Sequence, residues 1–205
     1  MKTKLKLHLM VMYTVLVSYL SIQDVKAQAF VEGNNSINVG YGFGTVVGTL
    51  FNSYKDYNEY SFSTLGPLFL KYEHAVNDKI GIGLNVAYAK WELSYRYNGY
   101  SNQEFTEKDS YTTYSILGRF NLHFGHMDKF DPYWGFGLGF RNANLKFSSS
   151  DPNGPKDTDI SNPIPIPLGF ETTIGARYYF SDNFGIYAEA GFAKAVTQAG
   201  LTFRF

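Results

Sequence analysis

The chain has 205 residues, with 18 basic and 18 acidic side chains and no cysteine, which excludes disulfides and a lipid-anchor cysteine. No basic patch stands out, so nucleic acid is not an expected partner. Tyr, Phe and Trp number 17, 18 and 2 beside 20 Gly, yet beyond residue 29 no apolar run reaches the ~20 residues of a membrane helix, and aromatic richness without helices points to strands.

Residues 1–29 have the order of a secretory signal peptide. Lys2, Lys4 and Lys6 come first, a mostly apolar run follows over 7–22, and the segment ends in Val25-Lys26-Ala27-Gln28-Ala29. Cleavage after Ala27 and cleavage after Ala29 both satisfy the small-x-small rule. Removing the segment takes four Lys and Asp24 and leaves 14 basic and 17 acidic groups. The apolar run is short for an anchor that spans the bilayer. The expected mature domain is 30–205.

From residue 35 onward, period-two alternation recurs over the length of a tilted membrane-spanning strand. The first segment sets Ile37, Val39, Tyr41 and Phe43 against Asn38, Gly40, Gly42 and Gly44. The second sets Leu68, Leu70 and Tyr72 against Lys71 and Glu73, with Pro67 at its outer edge. In the third, Ile80, Ile82, Leu84, Val86 and Tyr88 alternate with small or polar residues. In the fourth, Ile116, Phe120 and Leu122 oppose Ser115, Arg119 and Asn121. The fifth alternates Trp134, Phe136, Leu138 and Phe140 with Gly135, Gly137 and Gly139.

The sixth segment begins at Leu168, after Pro163, Pro165 and Pro167, which fit only the rim of a sheet. It opposes Phe170, Ile174, Ala176 and Tyr178 to Glu171, Thr173 and Arg177. Ile186, Ala188, Ala190 and Phe192 against Tyr187 and Glu189 make the seventh. Leu201, Phe203 and Phe205 against Gln198, Thr202 and Arg204 make the eighth. Connections at 76–79, 125–131 and 181–183 are short; those at 46–64, 98–110 and 147–162 are long and polar, and one near 194–196 is tight. The fold class predicted is all-β: an eight-stranded antiparallel transmembrane β-barrel in up-and-down order, large residues facing lipid and small or polar ones inside. An even count closes the sheet and leaves no unpaired edge in hydrocarbon.

Aromatic residues gather where an interface girdle is expected: Phe124, Tyr133, Trp134, Phe180, Phe184 and Phe205 near the inner ends, Tyr88, Trp91, Tyr95 and Tyr111 toward the outer ends. The chain resembles the small outer-membrane barrels of the OmpA-transmembrane-domain, OmpX and OmpW type. The resemblance covers the whole mature region and rests on the signal peptide, the eight segments, the Gly-aromatic strand from Trp134 to Phe140, and the ending Leu201-Thr202-Phe203-Arg204-Phe205. It implies a Gram-negative outer-membrane location, outer-membrane lipid and lipopolysaccharide as surroundings, and an assembly signal at Leu201, Phe203 and Phe205 read by the outer-membrane assembly machinery.

The inward positions include Lys71, Glu73, Arg119, Glu171, Arg177, Glu189 and Arg204, four basic and three acidic groups that can pair into a lumen-filling network. An eight-stranded barrel is only wide enough for side chains or one small ligand. His123 and His126 stand three apart where a strand runs into a turn, and with His74 they read as interface and turn residues rather than metal ligands. The paired glycines lie on strands with no helix following, so they make room inside the barrel and do not cradle phosphate. No catalytic group, metal or cofactor is expected, and the chain does not read as an enzyme. The loops display Tyr54, Tyr57, Tyr60, Tyr97, Tyr100 and Tyr111 among Asp56, Glu59, Glu104, Glu107 and Asp109, the surface expected to carry any external ligand. A structural or surface-interaction role in the envelope is the first reading, a narrow porin-like channel the alternative, and a lipid-modifying enzyme the third.

Overall fold

The computed structural model describes residues 28–45, 49, 54–98, 103–125, 127–154, 157–161 and 166–205. The signal segment through residue 27, together with Tyr100, His126, Pro163 and Pro165, lies outside the described residues. Among the described residues nine strands form: β1 (Asn35–Phe43), β2 (Asn58–Asn77), β3 (Ile80–Asn98), β4 (Glu104–His123), β5 (Phe130–Ser149), β6 (Thr158–Ser161), β7 (Leu168–Tyr179), β8 (Phe184–Phe192) and β9 (Thr197–Arg204).

Eight of them close into a barrel. β1 to β5 and then β7 to β9 pair antiparallel in a meander, and β1 pairs β9 from Ser36↔Arg204 to Phe43↔Thr197, which completes the ring. The eight alternating segments each fall in one barrel strand. β6 stands apart: it adds to the outer end of β5 alone, from Asn144↔Ser161 to Phe147↔Thr158.

The outside of the barrel is an apolar belt. Val39, Leu70, Leu84, Val86, Ile116, Phe120, Phe136, Leu138, Phe170, Ile174, Ile186 and Leu201 are all exposed. On β5 the exposed apolar positions run from Phe130 to Phe140, which at about 3.4 Å per residue and a tilt of about 45° gives a belt roughly 25 Å tall, the thickness of hydrocarbon that such barrels span. At its inner edge Phe124, Trp134, Phe180 and Phe184 face outward as a girdle.

Above the belt the rule reverses. On β3 the outward apolar residues stop at Tyr88, and beyond it Trp91, Leu93 and Tyr95 turn inward and are buried, while Lys90 and Glu92 pair with each other on the outside at 2.7 Å. The sheet there meets water rather than lipid, so its apolar face must be the inner one. Two expectations change for this reason. Trp91 and Tyr95 are not girdle residues, and 58–64, 104–110 and 147–149, read from their polarity as loop, are strand. β2 to β5 therefore rise as a tall wall over one side of the barrel, while β1, β8 and β9 end at its mouth. Pro67 sits within β2, not at its start, in a register shift between Leu65 and Leu68 that relieves the ladder of the amide proline lacks.

Candidate functional site

The strand parity that puts large residues in lipid sends a polar set into the lumen, where it forms two layers of charge. The layer nearer the inner end is built from β2, β4, β5 and β7. His123 faces Asp131 Oδ1 through Nδ1 at 2.6 Å and Glu73 Oε1 through Nε2 at 2.8 Å. Arg177 donates to Glu73 and to Asp131 Oδ2, the latter at 3.3 Å, and lies over the Tyr133 ring at 4.8 Å. Two carboxylates thus share one guanidinium and one imidazole ring, each oxygen facing a nitrogen of one or the other.

The second layer sits nearer mid-barrel. Glu189 on β8 takes the Lys71 ammonium at 2.7 Å and Arg119 Nη2 at 2.8 Å. It also accepts from the Tyr133 hydroxyl at 2.7 Å, the Thr173 hydroxyl at 2.9 Å and the Gln198 amide at 2.9 Å. Arg119 donates through Nη1 to Glu171 at 2.7 Å and through Nε to Asn121 at 2.8 Å, and Asn85 donates to Glu171 at 2.8 Å. Glycines supply the room: a Cβ at Gly137 would stand 2.6 Å from Glu171 Cγ, and one at Gly175 2.5 Å from Glu189 Cγ. Buried charges are tolerated only when partnered in this way.

Six of the seven inward charges read from sequence, Lys71, Glu73, Arg119, Glu171, Arg177 and Glu189, meet in these layers. Arg204 is inward and buried but does not join them; its guanidinium donates to the main-chain carbonyls of Gln28, Ala29 and Asp182 and lies over Tyr179. Asp131 and His123 were missed, because they lie where a strand meets an expected turn. His123 is therefore a buried member of the network, not a turn residue. Tyr133 is a second correction: it is fully buried in the lumen, since its neighbour Trp134 takes the outward position and adjacent strand residues face opposite sides. Leu201, Phe203 and Phe205 face outward along the closing strand, with the rings of Phe203 and Phe205 stacked 6.0 Å apart.

Both mouths are occupied. At the inner end Ala29 and Phe30 are buried, and Phe30 lies on the His123 ring with centroids 3.4 Å apart. At the outer end the turn between β8 and β9 folds inward: Ala195 packs with Phe69 and Ala87, and Lys194 donates to the Thr113 hydroxyl on β4 at 3.1 Å.

The tall wall carries the second feature. Tyr54 and Tyr57 pack on Tyr95 at 5.3 and 4.8 Å, and Tyr97 continues the cluster to Phe105. A cavity of about 530 Å³ beside them is lined by Asp56, Tyr57, Tyr95, Arg96, Tyr97 and Glu107 among others. Arg96 is neutralised by Glu59 at 2.6 Å and Glu104 at 3.7 Å. Burial, with Glu107 nearby, pushes the half-buried Asp109 carboxyl up to about 6. Tyr60 and Tyr111 lie on β2 and β4.

No family model matches the chain, and no curated protein matches it. Among solved structures it is similar to the N-terminal β-barrel domain of Pseudomonas aeruginosa OprF, at 15% identity and a TM-score of 0.38 over 85% of this chain and 99% of that one. It is similar to Yersinia pestis Ail, the attachment invasion locus protein, in complex with the heparin analogue sucrose octasulfate, at 17% identity and a TM-score of 0.45 over 85% and 99%. It is also similar to the outer membrane protein OprG of Pseudomonas aeruginosa, at 10% identity and a TM-score of 0.41 over 89% and 99%.

Proposed function

We propose that the chain is an integral outer-membrane barrel with a closed lumen, serving envelope structure or surface interaction through the wall that stands above the membrane. The observation that carries this reading is the cross-lumen network, in which Arg119 spans from β4 to Glu171 and Glu189 and Arg177 spans from β7 to Glu73 and Asp131, with both mouths occupied. A conducting path would have to break pairs whose partners would then be left buried and uncompensated. The belt suits outer-membrane lipid and lipopolysaccharide as surroundings, and the outward row Leu201, Phe203 and Phe205 suits recognition by the assembly machinery. At His123 both ring nitrogens are taken by carboxylates, which leaves that residue no free nitrogen for lipid-modifying chemistry.

Single-channel recording of the refolded barrel in a planar bilayer tests the reading. A folded sample, identified by a heat-dependent shift in gel mobility, stays silent. Steady, reproducible openings would replace this reading with the narrow porin-like channel.

A further inference from the structure

The closure of the inner mouth separates the two cleavage positions that the sequence leaves open. The carbonyls of Gln28 and Ala29 both accept from Arg204 Nη1, at 2.7 and 2.8 Å, and the Ala29 amide donates to the Met127 carbonyl at 2.9 Å. Phe30 is buried against His123, in rings only 6° from parallel. The segment is then stitched to the barrel end, with Glu32 donating to Asp78 at 3.0 Å and Gly33 to the Ala75 carbonyl at 2.9 Å. Arg204 is itself fixed by two bonds to the Asp182 carbonyl, at 2.9 and 2.6 Å, and by the Tyr179 ring, so it is held where the segment must meet it.

We propose that the processed protein begins at Gln28, the bond after Ala27 being the one cut on export. In that step water adds across the Ala27–Gln28 peptide bond in an export peptidase. Ala27 leaves with the leader as a carboxylate, and Gln28 keeps the nitrogen as a free α-amine. Its part-exposed position lets that amine be hydrated. A cut after Ala29 does the opposite. It discards both carbonyls bound by the buried guanidinium and the amide that reaches Met127, and it leaves the new ammonium of the buried Phe30 beside the place where the Ala29 carbonyl had met Arg204. Two like charges would then share a closed mouth that has lost two acceptors. Both positions obey the same small-residue rule, so the difference lies in what the folded barrel keeps.

The assignment rests on the reading of the chain as an exported barrel, and one experiment separates the two. The full chain is expressed in a Gram-negative host, the outer-membrane fraction is isolated, and the protein's N-terminus is identified by intact mass and terminal-peptide mass spectrometry. Gln28 as the first residue is the expected result. A barrel in that fraction starting at Phe30, or still carrying the leader, overturns the cleavage assignment and leaves the barrel reading standing, whereas absence from the fraction overturns both. Refolded proteins starting at Gln28 and at Phe30 supply the second readout: the shorter one unfolds at lower urea, and the gap narrows when both carry Arg204→Ala, leaving the part that belongs to the Ala29 bond with Met127. Equal midpoints with Arg204 intact would remove the physical ground for the assignment.

Discussion

Tyr133 and Glu189 meet in the middle of the barrel, the phenol of β5 donating to the carboxylate of β8 at 2.7 Å with both residues buried. Tyr133 also lies under the Arg177 guanidinium, so one side chain touches both charge layers. The lumen is therefore a coupled unit, and its residues are expected to respond to substitution together.

Arg119→Ala leaves Glu171 and Glu189 short of their shared cation and is expected to lower stability by about 3–5 kcal/mol, the cost typical of breaking a buried pair from one side. Urea unfolding followed by tryptophan fluorescence measures it. Arg119→Ala combined with Glu171→Gln should recover part of the loss, because the second change removes one orphaned charge; a double variant that loses the full sum would argue against coupling.

Gly137→Ala and Gly175→Ala each push a methyl group into a glutamate stem, at 2.6 and 2.5 Å, and should cost about 1–3 kcal/mol as overpacking. Gly118→Ala is the control. A Cβ added there would point outward and meet only the Leu138 carbonyl, at 3.6 Å. Comparable unfolding midpoints for all three would show that the lumen has slack.

Asp109 predicts a pH dependence confined to the tall wall. Its folded value of about 6 lies above the ordinary 3.8, so the folded form takes up a proton more readily than the unfolded one. With respect to this group the wall is most stable below about pH 4, loses stability as pH rises from there through about 6, and changes little beyond, once the carboxylate beside Glu107 has formed in the folded state as well. Protection factors along 91–97 and 104–110, with the intrinsic base-catalysed rate of exchange divided out, should be higher at pH 5 than at pH 8, and Asp109→Asn should flatten the difference.

Deleting Phe205 removes an outward ring of the closing strand and an amide that donates to the Asn35 carbonyl at 2.9 Å. Outer-membrane levels of the truncated protein should drop severalfold in quantitative blots of fractionated cells. Unchanged levels would set aside the role given to Leu201, Phe203 and Phe205 in assembly.

Much of this architecture was legible because lipid and lumen impose opposite demands on alternate residues. In 80–88 and 134–140 the alternation is unbroken, and simple parity found Lys71, Glu73, Arg119, Glu171, Arg177 and Glu189. Arg204 obeyed the same parity but chose main-chain carbonyls, which leave no mark in a side-chain pattern. Tyr133 could have been placed from its neighbour, since Trp134 already held the lipid side. Trp91, Leu93 and Tyr95 needed a different signal, the point at which the surrounding medium turns from hydrocarbon to water and the apolar face changes sides.

The seam between β1 and β9 joins the first and last strands of the chain, and Arg204 holds residues 175 and 176 positions earlier. A chain that appears in sequence order has its opening strand long before it has the closing one. Until the final residues arrive, β1 and each newest strand remain bare edges, and no intermediate length can satisfy them both. Closure thus depends on the whole polypeptide and is slow by the standards of local folding. A truncation near the C-terminus is felt at the N-terminus, at the opposite end of the gene but the same place in the wall.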